Sequence, residues 1–309
     1  MSRLLYTITD FFAEGSTMAN ELLDCEHNLR VAIKKATESP CPPQLAQALE
    51  YAVFPGGARV RPKLCLAVAL ATGNDEPMLA MSAAVAIEML HCASLVHDDL
   101  PCFDDATQRR GKPSVHASFG ERIAVLTGDT LIVSAFEQLA RCGFQISDAR
   151  RLATVTQLVT RGVGAPQGIC AGQAWECEPS VDTATYHQCK TGALFVAATC
   201  AGAAAAGEDY QQWLPLGSAI GQAYQVADDI QDCVGVSAQM GKPSGRDALL
   251  GRPNAVHELG LEGAITLLNN LLNDGIASIP QCAGRDLLVS LVEKQSERFF
   301  PSGYKRCAA

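Results

Sequence analysis

The stretch from His97 to His116, HDDLPCFDDATQRRGKPSVH, places Asp98, Asp99, Asp104 and Asp105 within eight residues and follows them with Arg109, Arg110 and Lys112. A chain that gathers so many like charges must fold so that cations reach them. A second acidic group comes far downstream in QVADDIQD, where Asp228 and Asp232 lie four apart and share one helix face, with Asp229 beside them. Two such clusters facing across a cavity would hold several hard divalent ions. Carboxylate oxygen is the ligand type that magnesium prefers, with waters and substrate phosphates completing its shell.

An acidic pair by itself is more often a solvated helix face. The surroundings argue otherwise. Ser82 to His97, the helix expected to enter the first cluster, is small and apolar, yet Glu88, His91, Ser94 or Leu95, and Asp98 recur at spacings of three or four. A polar stripe on a buried helix should face a cavity. Pro101 lacks an N–H and clashes with the carbonyl four residues back, so the helix bulges or stops there. On an unbroken helix Asp98 and Asp104 would point in widely different directions; a two-residue bulge around Pro101 and Cys102 restores the phase of an i, i+4 pair. Cys102 itself is not read as a ligand, since a thiol is a poor partner for magnesium.

With 309 residues, 48% hydrophobic and 18% charged, the chain can bury a large core, and no linker divides it; one domain over residues 1–309 is expected. A net charge of −9 and the lack of a basic footprint exclude nucleic acid as a partner. Thirteen cysteines, an odd number with no CxxC, read as reduced, buried thiols of a cytoplasmic protein rather than a disulfide framework or zinc site. Residues 1–20 lack a secretory pattern and read as a loosely held N-terminal arm. The alanine-rich run 192–207 is shorter than the roughly 20 residues that span a bilayer. It reads as a packed core helix, and no transmembrane segment is expected.

Helical periodicity dominates: Glu21 to Lys35, Gln44 to Val53, Lys63 to Ala71, Met78 to His97, Arg122 to Arg141, Asp148 to Arg161, Thr183 to Ala206, Tyr210 to Val234, Leu261 to Asn273 and Arg285 to Phe299. Strand alternation is hardly seen. The expected fold class is all-α.

DDLPCFD has the form DDxxxxD, the second cluster reads DDIQD, and GGARVRP lies upstream at Gly56 to Pro62. This ordered set, from about Gln44 to Arg252, resembles the trans-isoprenyl diphosphate synthases, most closely the geranylgeranyl diphosphate synthases of bacterial pigment pathways. The resemblance implies a helical bundle around a deep central cavity, magnesium as cofactor, a homodimer with apolar helices such as Arg122 to Arg141 at its interface, and two diphosphate substrates. It implies that Asp98, Asp99, Asp104, Asp228, Asp229 and Asp232 ligate metal. Arg59, His91 and Arg110 would hold isopentenyl diphosphate. Arg109, Lys190 and Thr191 would serve the allylic diphosphate (dimethylallyl, geranyl or farnesyl), Gln225 would lie near the reacting carbons, and Lys242 and Arg252 would lie on a mobile lid. In the FPGGARVRPKL loop, the two glycines let the backbone turn closely and Arg59, Arg61 and Lys63 should reach outward.

The chain departs from the family pattern at Ala58, where lysine is usual, at Ala106, Thr107 and Gln108, where another acid is common, at Arg252 in place of lysine and at Asn254 in place of threonine. These departures motivate an alternative, a non-catalytic regulatory subunit, against which both intact acid clusters weigh. A terpene cyclase would not need the GGARVRP loop. Product length turns on Ala93, five residues before Asp98, where relatives that stop at fifteen carbons commonly carry a ring. A methyl group there leaves the well open, and Met89, one turn earlier, would be its floor. Twenty carbons are expected, with a farnesyl product of fifteen as the alternative.

Overall fold

The computed structural model describes residues 17–54, 57–180, 182–234 and 254–300. The described chain is almost wholly helical. In order it forms α1 (Thr17–Ala36), α2 (Pro43–Val53), α3 (Val60–Ala71), α4 (Pro77–Asp98), a hairpin of β1 (Gln108–Arg109) and β2 (Lys112–Pro113), and α5 (Val115–Phe119). There follow α6 (Glu121–Cys142), α7 (Ala149–Val163), α8 (Ile169–Trp175), α9 (Thr183–His187), a π segment (Gln188–Gly192), α10 (Ala193–Ala205), α11 (Leu214–Val234), α12 (Ala255–Ala277) and α13 (Arg285–Ser296). The long helices fall where the periodicity put them. Thr17 to Asn20, expected in the loose arm, instead belong to α1, and residues 1–16 lie outside the described part.

Three features escaped the periodicity. The helices α5 and α8 are too short to show a repeat, and β1 pairs antiparallel with β2 over only two residues each. The expected helix from Thr183 to Ala206 changes phase at the π segment, which hydrophobic spacing does not report.

The helix α4 runs through the middle of the bundle against α3, α6 and α10, with Ala83, Ala84, Val85, Ala86, Ile87, Met89 and Leu90 all buried. Pro77 opens it in the first turn, where a missing N–H costs nothing. Beyond its end the Asp98 carbonyl accepts from the Asp104 amide at 2.9 Å, six residues on instead of four. The chain thus makes the two-residue excursion expected from Pro101, although as a turn and not as a bulge within a continuing helix. The alanine-rich α10 lies against α3 so closely that a Cβ on Gly202 would come 2.2 Å from the Cys65 carbonyl oxygen. Small side chains here set the distance between the two helices.

By length and composition alone, Pro77–Asp98 and Glu121–Cys142 would each pass as a membrane span. The first is largely inside the bundle, whereas the second has Val125, Leu126 and Val133 exposed.

Helix propensity favours alanine over glycine by about 1 kcal/mol, but overpacking costs about 1–3 kcal/mol. Gly202→Ala should therefore lower stability in urea unfolding. A gain would refute the close α3–α10 contact.

Candidate active site

The π segment stands between the two acid clusters. One extra residue in its turn re-aims the side chains of Lys190 and Thr191, and Gly172 of α8 makes room for it, since a Cβ there would lie 2.4 Å from the Lys190 amide nitrogen. The Lys190 ammonium pairs with Glu176 and lies 3.5 Å from Oδ1 of Asp98 in the first cluster. Glu176 also accepts from the Tyr186 hydroxyl. Next along the chain, the Thr191 hydroxyl donates to Oε1 of Gln225 at 2.8 Å, and Nε2 of Gln225 donates to Asp229 at 3.0 Å in the second cluster. Two consecutive residues thus tie α4 to α11.

The acids divide into two kinds. Asp99 is buried, with both oxygens accepting from Nε of Arg109 at 3.0 and 3.2 Å. Asp229 is equally buried, accepting from Gln225 on one oxygen and from the Ala255 amide on the other at 2.8 Å. Asp98 differs, because its Oδ1 is buried without a hydrogen-bond partner. Burial pushes the Asp98 carboxyl up, Lys190 pulls it down and Asp104 pushes it up again. A carboxylate so placed fits a divalent cation, which would reverse that upward push. Asp104, Asp228 and Asp232 are half-buried near these groups. Among the described residues, no three acid, histidine or cysteine side chains close into a cage by themselves. Magnesium does not need one: it takes one or two carboxylates and completes its octahedron with water and phosphate.

The arginines overturn one expectation. Arg59 does not reach outward: Nη1 lies 2.6 Å from Glu88, Nε 3.1 Å from Glu26, and Nη2 donates to the Val53 carbonyl at 2.9 Å. Its guanidinium is consumed in the fold. Arg61 turns inward too, but to a different place. Its Nη1 is 3.4 Å from Nε2 of His91, its plane lies 4.4 Å over the Phe195 ring, and its buried Nε has no hydrogen-bond partner. Arg110 completes the group from the hairpin tip, packed so closely on Gly57 that a Cβ there would sit 3.0 Å from Nη2. Burial, and then Arg61, Arg110, Arg109 and Arg59, hold the His91 imidazole well below its usual range, so it is neutral at neutral pH. A pocket with this much positive charge invites a polyanion.

Met89 and Ala93 are both buried one turn apart on α4. Lys242 and Arg252 lie outside the described residues. Asn254, which stands in place of threonine, is the N-cap of α12, its side-chain oxygen accepting from the amides of Val256 and His257 at 2.9 and 3.2 Å. Asparagine and threonine both cap helices, so that departure keeps its local task.

The sequence pattern of the family described as Polyprenyl synthetase matches residues 42–281. The chain belongs to this family. It is 52% identical to the geranylgeranyl diphosphate synthase of Cereibacter sphaeroides over 277 residues, 90% of this chain and 96% of that one. It is 53% identical to the Rhodobacter capsulatus protein of the same name, over 82% of this chain and 86% of that one. A solved geranyltransferase from Helicobacter pylori, complexed with magnesium and isoprenyl diphosphate, superposes with a TM-score of 0.76 at 27% identity, covering 91% of this chain and 98% of its own.

Within this polyprenyl synthetase two site residues escaped the sequence reading. Glu176 carries no recognisable pattern in AGQAWECE, and only the fold brings it to Lys190. Arg61 was passed over in favour of Arg59, two residues away. Removing one partner of a buried ion pair costs about 3–5 kcal/mol. Arg59→Met should lose stability on that scale in chemical denaturation, because it strands Glu88; a loss below about 1 kcal/mol would show that the pair is not buried as described.

Proposed function

We propose that the protein is a magnesium-dependent geranylgeranyl diphosphate synthase, joining isopentenyl diphosphate head-to-tail to dimethylallyl, geranyl or farnesyl diphosphate and stopping mainly at twenty carbons. The observation that carries this reading is the link from Asp98 through Lys190 and Thr191 to Gln225 and Asp229, with the Arg61, His91 and Arg110 pocket beside it. One centre can release a diphosphate while its neighbour holds another.

Magnesium, when bound by Asp98, Asp104, Asp228 and Asp232, supplies the positive charge that offsets the charge developing on the leaving diphosphate. Lys190 adds a mobile ammonium on the same side, steadied by Glu176. Asp99 fixes Arg109, and Asp229 fixes both Gln225 and the start of α12. As the C–O bond breaks toward an allylic cation, the double bond of isopentenyl diphosphate attacks. Arg61, Arg110 and neutral His91 orient that substrate, with Arg61 taking the part that the sequence had given to Arg59. Ala58 supplies no charge where the family has lysine, so affinity for isopentenyl diphosphate is lower than with a lysine present. Loss of a proton to the released diphosphate completes the cycle, and the apolar walls keep water from the cation.

The enzyme works as a cytoplasmic homodimer in pigment formation, a second copy covering Val125, Leu126 and Val133 on α6. Its product length follows from α4, where the methyl group of Ala93 would leave the well open below Asp98 and Met89 would be the first large side chain beneath.

Purified protein given magnesium and both substrates should form a twenty-carbon diphosphate by mass. Asp98→Ala and Asp228→Ala should each cut turnover by about a hundredfold or more, as should a chelator. Absence of any longer prenyl diphosphate, with both variants behaving like the wild type, would refute prenyl transfer. Ala93→Tyr should move the main product to fifteen carbons, since an added ring costs about 1–3 kcal/mol of overpacking against the longer chain. Met89→Ala should give longer species. An unchanged distribution in Ala93→Tyr would remove α4 as the floor.

A further inference from the structure

The hairpin that carries Arg110 is fixed at both strands. Arg109 and Lys112 face each other across it, and the two residues between them, Arg110 and Gly111, have φ of 53° and 74°. Positive φ at both central positions gives the turn that matches the twist of a two-residue hairpin, but arginine adopts that conformation reluctantly. Something must hold it. On β1, Arg109 grips Asp99. On β2, Nζ of Lys112 donates to the carbonyls of Tyr51 at 2.6 Å and Phe54 at 3.0 Å, and lies 3.8 Å over the Tyr51 ring.

Those carbonyls belong to the C-terminal turn of α2, where acceptors lack helical partners and the helix dipole is negative. Tyr51 answers the contact: its hydroxyl donates to the Pro113 carbonyl at 2.7 Å and accepts from Ser118 at 3.2 Å, while its ring meets Phe119 edge-on at 5.3 Å. The end of α2 and the second strand thus hold each other by reciprocal bonds. Burial and then Arg110 lower the Lys112 pKa, as expected for two cations lodged side by side.

We infer that Lys112 and Tyr51 are positioning residues that lock β2 onto the end of α2 and so hold Arg110 against the Gly57 to Arg61 segment, where isopentenyl diphosphate would bind. The inference rests on the function proposed above. It also predicts a one-sided effect. Loosening β2 frees the hairpin tip, but Arg109 keeps its own anchor on Asp99, so the allylic side is left in place.

Steady-state kinetics with each substrate varied separately tests this, alongside thermal melting. Lys112→Met, which keeps the stem and deletes the donors, should raise KM for isopentenyl diphosphate about tenfold while KM for farnesyl diphosphate stays within about twofold, because small misplacements of a binding group are costly. Lys112→Arg, which keeps donors for the carbonyls, should recover most of that loss. Tyr51→Phe removes one hydroxyl and should give a smaller rise, about threefold, with the same one-sidedness. Equal rises in both KM values, or an unchanged KM for isopentenyl diphosphate in both Lys112→Met and Tyr51→Phe, would overturn the inference while leaving the synthase reading intact. A wild-type protein that forms no prenyl product would overturn that reading, and this inference with it.

Discussion

Glu88 lies at 2% exposure in the middle of an alanine-rich helix, and its carboxylate is tolerable there because Arg59 is 2.6 Å away. Burying an unpaired charge costs far more than one helix can return. The same requirement governs the rest of the site. Asp99 is matched by Arg109, and Asp229 by an amide side chain and a helix amide. Charges spent in this way fix geometry, joining α3 to α4, the hairpin to α4, and α11 to α12. The buried atoms without a hydrogen-bond partner, such as Oδ1 of Asp98 and Nε of Arg61, are where a charged ligand can gain most.

Fixing those pairs also fixes the distance between the two acid clusters. A straight helix from Thr183 to Ala206 would carry Lys190 and Thr191 past α4 and α11 in another phase. The π turn shifts them, and the absence of a side chain on Gly172 lets the α8 backbone come close enough to accommodate it. Lys190 then reaches Asp98 while its neighbour reaches Gln225. Local irregularity in an otherwise regular bundle sits between the two acid clusters, and irregular helical turns of this kind are frequent at functional sites.

Departures from the family pattern become intelligible in the same terms. Asn254 replaces one capping residue with another at the start of α12. Ala106 is buried, its carbonyl 3.0 Å from Nε2 of the His116 ring, so an acid at that place would be buried and would need a partner of its own. Ala58 is exposed beside the cation pocket and subtracts a charge without disturbing the pairs that hold the loop.

Much was legible in the residues themselves. Apolar spacing of three and four gave the long helices, because each had to bury a stripe. The acid clusters pointed to a candidate site, because so much like charge in one place needs cations, and Pro101 marked where α4 had to stop or bulge. Arg59 and Arg61 show the limit. Both are arginines in one basic loop, and nothing in GGARVRP says which one meets Glu88 and which one meets His91. That choice depends on where α3 enters the bundle relative to α4, a long-range packing distance that no local pattern encodes. Glu176 and the π turn were hidden too: Glu176 meets Tyr186 and Lys190 only once the chain between them folds back, and the π turn is fitted to the backbone of Gly172 on α8. The sequence by itself determined which chemistry the chain carries and which segments are helical; tertiary packing alone decided which charges hold the protein together and which are left for a ligand.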